Sequence, residues 1–296
     1  MTRPALPHHY TGKVRDLYEI DHDRMLIVAS DRISVFDVVL DNEIPDKGRV
    51  LTALATFWFE LTGSIASNHL ISSDPTDFPE TSGRDVEGRA MLVRATNPVR
   101  IECVARGYLM GTAWLEYQAT GAVWGHPMPA GLRQAERLPE PLFTTTTKAP
   151  VGQHDKPLTD AAAIELVGGD RFEQLRATTL DLYGFAAHHA EERGIILADT
   201  KFEFGTIDDQ LMVIDEIFTP DSSRFWPAEQ YQVGTSPPSF DKQFVRDHYL
   251  SLGWDGSSLP PPRLPDRVVD GTRARYIEAY ELLSGKSFDD WFGAED

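Results

Sequence analysis

The sequence contains one cysteine, Cys103, among 296 residues. A single thiol excludes an internal disulfide and a cysteine-based metal cluster, and we interpret Cys103 as a buried core thiol and not as a nucleophile. No stretch approaches the roughly 18 consecutive apolar residues that a membrane span needs. Residues 1–10 lack both an apolar h-region and a small-residue cleavage site. We therefore expect a cytoplasmic protein.

Basic residues are also scarce. Lysine and arginine number 28 against 46 aspartates and glutamates, which gives a formal net charge of -18. Nucleic acid is therefore not an expected partner, because phosphate-backbone binding needs an accessible basic surface. Small anions remain possible ligands, since a few local arginines and lysines or a divalent cation can hold them. The apolar and charged fractions, 41% and 25%, are those of an ordinary globular protein.

Apolar periodicity predicts a mixture of strands and helices. Short apolar runs predict strands over 13–20, 24–29, 89–95 and 99–105, and the run over 50–65 predicts a buried helix. A second amphipathic helix is predicted over 266–283, after a proline-rich connector. This pattern predicts an α+β fold of two closely joined lobes with mainly antiparallel sheets and flanking helices. We place the lobes at 1–95, rich in β-structure, and 96–296.

The longest predicted helix covers 171–193 and ends before Gly194. Its apolar side recurs at spacings of three and four, at Phe172, Leu175, Thr179, Leu182, Tyr183, Ala186 and Ala190. By contrast, 72–88 and 125–157 are rich in proline, glycine and polar residues, and both are predicted as loops. A loop as long as 125–157 is usually functional or disordered. It contains Lys148 and the dipeptide His154-Asp155.

Two strand-like runs, 195–204 and 211–217, are separated by Asp208-Asp209 and predict a hairpin. Residues two apart in a strand share a face, so Asp199, Lys201 and Glu203 point the same way. A three-residue turn over 208–210 would set Glu203 opposite Asp215.

Two directly opposed carboxylates are destabilising unless positive charge lies between them. Magnesium on nucleotide phosphates would supply that charge, because it takes one or two carboxylates and leaves its other positions to phosphate and water. The alternative is a solvated strand face with a slightly different register. Glu203 and Asp215 are therefore candidate magnesium ligands.

Two polar segments near the N-terminus are candidate ligand sites. The turn Tyr10-Thr11-Gly12-Lys13-Val14-Arg15-Asp16 opens a strand, and its amides and lysine could cradle phosphates. A simple turn is the alternative. The box Ser30-Asp31-Arg32-Ile33-Ser34-Val35-Phe36-Asp37 follows an apolar strand. Its polar groups either form a ligand site or satisfy one another around a turn.

The segment 102–112 runs from a strand into a helix that begins near Thr112, which is a plausible N-cap. An anion at that helix start, held by Arg106, would interact with both the helix dipole and a guanidinium.

Eight segments in this order resemble the SAICAR synthetase family, and they extend from about residue 10 to residue 249. They are the glycine–lysine turn, the Ser-Asp-Arg-Ile-Ser box, Ile44-Pro45-Asp46-Lys47-Gly48, 102–112, the Thr-Lys and His-Asp loop, 199–205, Asp215-Glu216 through Arg224-Phe225-Trp226, and Phe240-Asp241-Lys242-Gln243-Phe244. Thr112 stands where a serine is common in the family, and Thr145, Pro150 and Lys156 also depart from its pattern.

The resemblance implies an ATP-dependent ligase of purine biosynthesis. Its substrates would be ATP, L-aspartate and carboxyaminoimidazole ribonucleotide, and its products the succinocarboxamide (SAICAR), ADP and phosphate. ATP would lie in the cleft between the lobes, with Mg²⁺ on its phosphates. An acyl phosphate intermediate is our preferred mechanism, because phosphoryl transfer needs positioning and charge neutralisation more than a protein nucleophile. Attack by the amine before phosphorylation is the alternative.

The resemblance also implies roles for single residues. ATP would contact Gly12, Lys13, Val14, Arg15, Met91, Val93, Arg94, Glu203 and Asp215, with the strand over 91–94 presenting its backbone to adenine. Substrate would be bound by Ser30, Asp31, Arg32, Arg106, Thr112, Arg224, Lys242 and Arg246, chiefly through the ribonucleotide phosphate. The reacting centre would be lined by Asp37, Lys148, Asp155, Asp199 and Lys201, and magnesium would be held by Glu203 and Asp215.

Two other functions fit the same motifs. An ATP phosphotransferase acting on a small metabolite would need the same phosphate and magnesium equipment. A non-catalytic nucleotide-binding regulator would be expected to have lost magnesium carboxylates or a ribonucleotide arginine, whereas Glu203, Asp215, Arg106 and Arg224 are all present.

Overall fold

The computed structural model describes residues 8–36, 38–79, 86–148, 155–240 and 242–291. Its first part is mostly β-structure, as predicted. The elements there are β1 (His8–Thr11), β2 (Arg15–Glu19), β3 (Arg24–Ala29), β4 (Arg32–Val35), β5 (Val38–Glu43), α1 (Lys47–Leu61), β6 (Leu70–Ser72) and β7 (Ala90–Arg94). Five of these strands form one sheet in the order β1-β2-β3-β7-β6, and β4 pairs with β5 in a separate hairpin.

The second part holds a seven-stranded sheet and most of the helices. Its elements are β8 (Asn97–Pro98), β9 (Ile101–Tyr108), α2 (Thr112–Thr120), β10 (Ala122–Val123), β11 (His126–Pro127), β12 (Arg137–Thr147), β13 (Pro157–Leu158), α3 (Asp160–Val167), α4 (Gly169–Glu191), β14 (Ile195–Ile207), β15 (Gln210–Ile214), β16 (Ser223–Pro227), α5 (Gln243–Ser251) and α6 (Asp266–Ser284). The sheet order is β13-β12-β9-β14-β15, and β14 also pairs with β16 and β8. These pairings are antiparallel, which confirms the predicted fold class.

Helix α4 packs against the second sheet through the predicted apolar side. All seven of its predicted core positions are buried, so the helical periodicity identified the buried side correctly. The predicted C-terminal helix is also confirmed as α6. Among the described residues, every helix is too short or too polar to cross a bilayer.

One hydrophobic cluster joins both sheets. It includes Ile27 and Val93 of the first sheet, Trp58 of α1, Phe202 of β14 and Tyr276 of α6. A separate cluster packs the β4–β5 hairpin against α5 and α6. Both clusters contain residues from each side of position 95, and the division into 1–95 and 96–296 stays a prediction.

The prediction of a loop over 125–157 was wrong, because it contains the eleven-residue strand β12. Residues 142–147 pair with β9, from Leu142 opposite Arg106 to Thr147 opposite Ile101. The pairing is irregular between Arg137 and Leu142, where two prolines, each unable to donate a ladder hydrogen bond, interrupt the sequence pattern. The threonines that follow favour a strand because they are β-branched.

The turn between β14 and β15 has two residues and not the predicted three, because Ile207 pairs with Gln210. Asp208 and Asp209 both have positive φ, 49° and 65°, as the favoured two-residue hairpin turn requires. Glu203 therefore lies opposite Ile214, and the predicted register was wrong by one residue.

Candidate functional site

The predicted site residues of β14, Lys201 and Glu203 among them, lie on the side of the strand away from the core. Phe202 and Phe204 alternate with them and are fully buried in the main cluster. Lys201 Nζ lies 3.5 Å from Glu203 Oε1, so these two side chains share a face. This agrees with the alternation expected for a strand.

Glu203 and Lys201 belong to a chain of alternating charges. Lys148 donates a hydrogen bond to Glu203, and Lys201 Nζ lies 2.6 Å from Glu102 Oε1. Thr146 Oγ1 also donates to Glu102, over 3.1 Å. No role for Glu102 was predicted from the sequence, although a carboxylate inside the apolar strand run 99–105 was a signal. The carboxylates here are neutralised by lysines.

Asp215 follows β15 directly and has a left-handed backbone, with φ of 67°. Arg15 binds it through Nη1, which lies 3.0 Å from each carboxylate oxygen. The same guanidinium pairs with Glu216. Arg15 is thus buried between two adjacent carboxylates, and it links the glycine turn to the end of the β14–β15 hairpin.

Opposite pKa shifts distinguish the two candidate magnesium ligands. Burial raises the pKa of Asp215, and the nearby charges of Glu203 and Glu216 raise it further against the effect of Arg15. Burial also opposes ionisation of Glu203, but Lys201, Lys148 and Arg15 hold the pKa of that carboxyl below its ordinary value. Burial is thus the main cause of the raised pKa of Asp215, whereas Glu203 is held as a carboxylate by its cationic neighbours.

Among the described residues, no group of three or more histidine, cysteine, aspartate or glutamate side chains could hold a metal by itself. A magnesium ion here would therefore need phosphate oxygens or water in addition to Glu203 and Asp215. That ligand set is the usual one for magnesium bound together with a nucleotide.

Asp199 lies between two arginines of neighbouring strands. It pairs with Arg106 of β9 on one side and with Arg224 of β16 on the other. Asp199 Oδ2 accepts a hydrogen bond from each, over 3.3 Å in the case of Arg106. The two arginines, which are far apart in sequence, are therefore brought together as predicted.

Arg106 is buried and held on every side. Its Nε donates to Thr144 Oγ1 over 3.1 Å, and its guanidinium carbon lies 4.4 Å from the centre of the Trp124 ring. Burial lowers its pKa to about 10, an effect that Asp199 opposes. Arg106 is therefore a rigid, charged group at neutral pH.

The helix that follows β9 begins at Thr112, but Thr112 is not its N-cap. The cap is Gly111, with φ of 61° and no side-chain cap bond. A backbone with this φ and ψ of -136° suits glycine alone, which explains why the threonine is displaced into the first turn. Arg224 packs against Gly111, so close that a Cβ there would lie 2.7 Å from Arg224 Nη2. Arg106, Arg224 and the start of α2 thus form one potential anion site.

The polar box after β3 contacts its own surroundings. Ser30 and Arg32 donate hydrogen bonds to the carbonyls of the glycine turn. Asp31 accepts from the amide of Gly48 over 2.9 Å and from Arg89 over 3.1 Å. The reading in which these groups satisfy one another around a turn therefore describes their contacts, and their role in binding substrate stays a prediction.

Lys242 lies beside a buried acid that the sequence analysis did not single out. Asp221 Oδ2 lies 2.8 Å from Lys47 Nζ and 3.2 Å from Lys242 Nζ, while Tyr276 donates to Oδ1 over 2.8 Å. Arg246 is half-buried one helical turn after Lys242, on α5. The motifs that contain Lys47 and Lys242 were recognised in the sequence, but nothing in them indicated that these lysines are buried around Asp221.

The remaining predicted residues are not all brought to the site. Met91 and Val93 are buried in the core, and β7 lies between β3 and β6. Arg94 donates its amide to His69. Met91 also lines a cavity together with Arg15 and Glu216, and the adenine contact of this strand stays a prediction. Asp155 is exposed near Glu102, and Asp37 and His154 lie outside the described residues.

Cys103 is completely buried, and burial raises the pKa of its thiol. This position agrees with the interpretation of Cys103 as a core thiol, because a thiol with a raised pKa is a poor nucleophile.

Comparison with known proteins finds a match to the SAICAR synthetase family over residues 8–259. The chain is 53% identical to the phosphoribosylaminoimidazole-succinocarboxamide synthase of Saccharopolyspora erythraea over 96% of both chains. It is 53% identical to the enzyme of the same description from Mycobacterium ulcerans, covering 98% of this chain and 99% of that one. Among solved structures, SAICAR-synthase from Saccharomyces cerevisiae, complexed with SAICAR, is 40% identical with a TM-score of 0.87, covering 97% of this chain and 99% of that chain.

Proposed function

Since the chain belongs to the SAICAR synthetase family, we propose that it joins L-aspartate to carboxyaminoimidazole ribonucleotide, using ATP and releasing SAICAR, ADP and phosphate. It is thus a ligase of purine biosynthesis, and we expect it to act in the cytoplasm. The observation that carries this proposal is the 53% identity to phosphoribosylaminoimidazole-succinocarboxamide synthases over nearly the whole of both chains.

The proposed reaction has two transfers. A carboxylate oxygen of the ribonucleotide attacks the γ-phosphorus of ATP, and ADP leaves. The aspartate amine then attacks the acyl carbon, phosphate leaves and the nitrogen loses a proton. The carboxylate needs the first step because it is a poor acceptor for an amine. Phosphoryl transfer depends on positioning and on neutralisation of charge, and no protein nucleophile is required.

Lysines and arginines on the site side of the second sheet supply that positive charge. Lys148 and Lys201 flank Glu203, where they would face the reacting carboxylate and the transferred phosphoryl group. Asp155 and Asp37 are proposed to line the same centre. The buried Glu102 keeps Lys201 charged and in place, since an opposite charge at 2.6 Å favours the protonated amine.

For the nucleotide, we propose contacts with Gly12, Lys13, Val14 and Arg15. Glu203 and Asp215 would hold magnesium, which when bound neutralises phosphate charge. These two carboxylates are oxygen ligands of the kind that magnesium prefers. Arg15, which now binds Asp215, also pairs with Glu216, so it would keep a carboxylate partner if a metal ion bound Asp215.

For the ribonucleotide phosphate, we propose Arg106, Arg224 and the amides at the start of α2. Two guanidinium groups face one carboxylate, Asp199, so the cluster has an excess of positive charge. Planar guanidinium forks bind phosphate oxygens in pairs. Lys242, directly before α5, and Arg246, on α5, are proposed to contribute as well.

A coupled assay of ADP formation, with each substrate omitted in turn, tests the function. We expect ADP release to require both aspartate and the carboxylated ribonucleotide. Equal release without aspartate would favour a phosphotransferase, and no release with all substrates present would favour a nucleotide-binding regulator. The Asp215→Asn variant, assayed beside the wild type, controls for contaminating ATPases.

A further inference from the structure

The main-chain carbonyls of Gly12, Lys13 and Val14, in the turn before β2, accept hydrogen bonds from Ser30 and Arg32, which follow β3. Arg32 Nη2 lies 3.4 Å from the carbonyl oxygen of Gly12, and Arg32 Nε lies 3.2 Å from that of Lys13. The carbonyl oxygen of Val14 accepts from Ser30 Oγ over 2.8 Å and from the Ser30 amide over 2.9 Å. Each carbonyl from Gly12 to Val14 thus has a donor from Ser30 or Arg32.

Arg32 is itself fixed in place. Its Nη2 also donates to Asp16 Oδ1 over 3.2 Å, and its backbone pairs with Glu43 in the β4–β5 hairpin. The turn is closed at its other end by the Gly12 amide, which donates to the Arg15 carbonyl over 2.7 Å. A guanidinium presents its donors in a rigid planar fork, so one side chain can bind two neighbouring carbonyls and a carboxylate at once.

The direction of these carbonyls also determines the direction of the main-chain amides in the turn. In a trans peptide unit the carbonyl and the following N–H point in opposite directions. With the carbonyls of Gly12 and Lys13 directed at Arg32, the N–H groups of Lys13 and Val14 are directed away from it. Successive main-chain N–H groups on one side of a turn form a concave site for an anion.

We propose that Arg32 and Ser30 are positioning residues for the nucleotide, which hold the 12–14 turn in the form that presents its amides to ATP phosphates, and that they do not bind the ribonucleotide or aspartate. This inference rests on the proposed function of the turn as the phosphate site. It reassigns two residues for which the family resemblance implied substrate binding. Their donors are already engaged with the turn, and a substrate would have to replace those hydrogen bonds.

The variants Ser30→Ala, Ser30→Thr and Arg32→Lys test this role. Ser30→Ala removes the hydroxyl donor and leaves the amide bond to Val14. We expect the dissociation constant of Mg-ADP, measured by calorimetry, and the KM for ATP to rise about fivefold. Ser30→Thr keeps the hydroxyl and should restore both values.

Arg32→Lys keeps the positive charge, but its compact tetrahedral ammonium cannot reproduce the planar fork that reaches the two carbonyls and Asp16. We expect it to weaken Mg-ADP binding by roughly tenfold or more, whereas KM for aspartate and for the ribonucleotide should stay within about twofold. Arg24→Lys is the matched control, because Arg24 is an exposed residue at the start of β3, where it pairs with the half-exposed Asp21. It should leave all constants unchanged.

Two results would overturn the proposal. An increase confined to the KM of aspartate or of the ribonucleotide would make Ser30 and Arg32 substrate ligands, and unchanged Mg-ADP binding in both variants would mean that the turn is held without them. Ser30→Ala keeps the test informative if Arg32→Lys does not fold. Calorimetry with Mg-ADP requires no turnover, so failure of the ligase assay in the wild-type protein would be seen separately.

Discussion

The buried pair of Lys47 and Asp221 predicts a large and specific loss of stability when the lysine is replaced. Lys47 Nζ lies 2.8 Å from Asp221 Oδ2, and their side chains are 0% and 2% exposed. The pair joins the first residue of α1 to the segment between β15 and β16. Lys47→Met keeps an unbranched, flexible side chain of similar length, so the charge is the main property removed.

The size of the loss follows from what remains around Asp221. Removing one partner of a buried ion pair typically costs about 3–5 kcal/mol, because it leaves an uncompensated charge. Asp221 keeps Lys242 at 3.2 Å and the Tyr276 hydroxyl at 2.8 Å. We therefore expect Lys47→Met to lower the free energy of unfolding by about 3 kcal/mol, at the lower end of that range. The loss is a large fraction of a total of about 5–15 kcal/mol.

The acid side of the stability profile should change as well. Burial by itself would raise the pKa of Asp221, but Lys242 and Lys47 lower it well below its ordinary value. A carboxylate with a depressed folded pKa contributes stability above its unfolded pKa, about 3.9, and loses it as the pH falls through the folded value. Without Lys47 the folded pKa rises, so acid unfolding should begin at a higher pH.

Urea unfolding followed by circular dichroism, at neutral pH and through the acid range, measures both effects. The exposed Lys286 provides the control, and Lys286→Met should change the unfolding free energy by no more than about 0.5 kcal/mol. A loss below about 1 kcal/mol for Lys47→Met, with an unshifted acid transition, would refute the inference that the buried charges are paired. In a double-mutant cycle, the losses of unfolding free energy caused by Lys47→Met and Tyr276→Phe should not add, since Lys47 and Tyr276 both contact Asp221.

Two further predictions concern the ligands. Arg106→Lys and Arg224→Lys should each raise the KM for the ribonucleotide roughly ten- to a hundredfold in steady-state kinetics. The two effects on KM should not add in the double variant, because both arginines would bind one phosphate. If the KM for ATP were chiefly raised instead, these arginines would belong to the nucleotide site. Asp215→Asn should greatly weaken the use of Mg-ATP without loss of folding, because it relieves repulsion from Glu203 and Glu216. Near-normal turnover at low magnesium would contradict that assignment.

The sequence predicted the local elements well and their long-range contacts poorly. Helix α4 was identified down to its buried positions because an amphipathic period is a local property. Strand β12 was missed because its prolines lie where its pairing with β9 is irregular, and only the neighbouring strand shows that the segment is paired. The hairpin register depended on one residue in the turn, and two aspartates in left-handed conformation made that turn shorter than expected.

Local sequence patterns predicted some contacts of the candidate site and could not predict others. The shared face of Lys201 and Glu203 follows from strand alternation. The contact between Arg15 and Asp215 joins positions 200 residues apart, and it depends on how the two sheets pack. The burial of Lys47 could not be predicted either, because a lysine at the start of a helix is normally exposed and its partner lies 174 positions away.

The position of β14 at the centre of the second sheet restricts how the chain length can vary. Asp199 is fixed by pairing with Arg106 and Arg224, and Glu203 by pairing with Ile214, beside Asp215. Inserting one residue between Asp199 and Glu203 would turn every later side chain of the strand to the opposite face and exchange Lys201 or Glu203 with the buried phenylalanines. Inserting two would restore the face but move the carboxylate by about 7 Å along the strand. We therefore expect a change of length between Asp199 and Glu203 to displace the carboxylate of Glu203 from the candidate site.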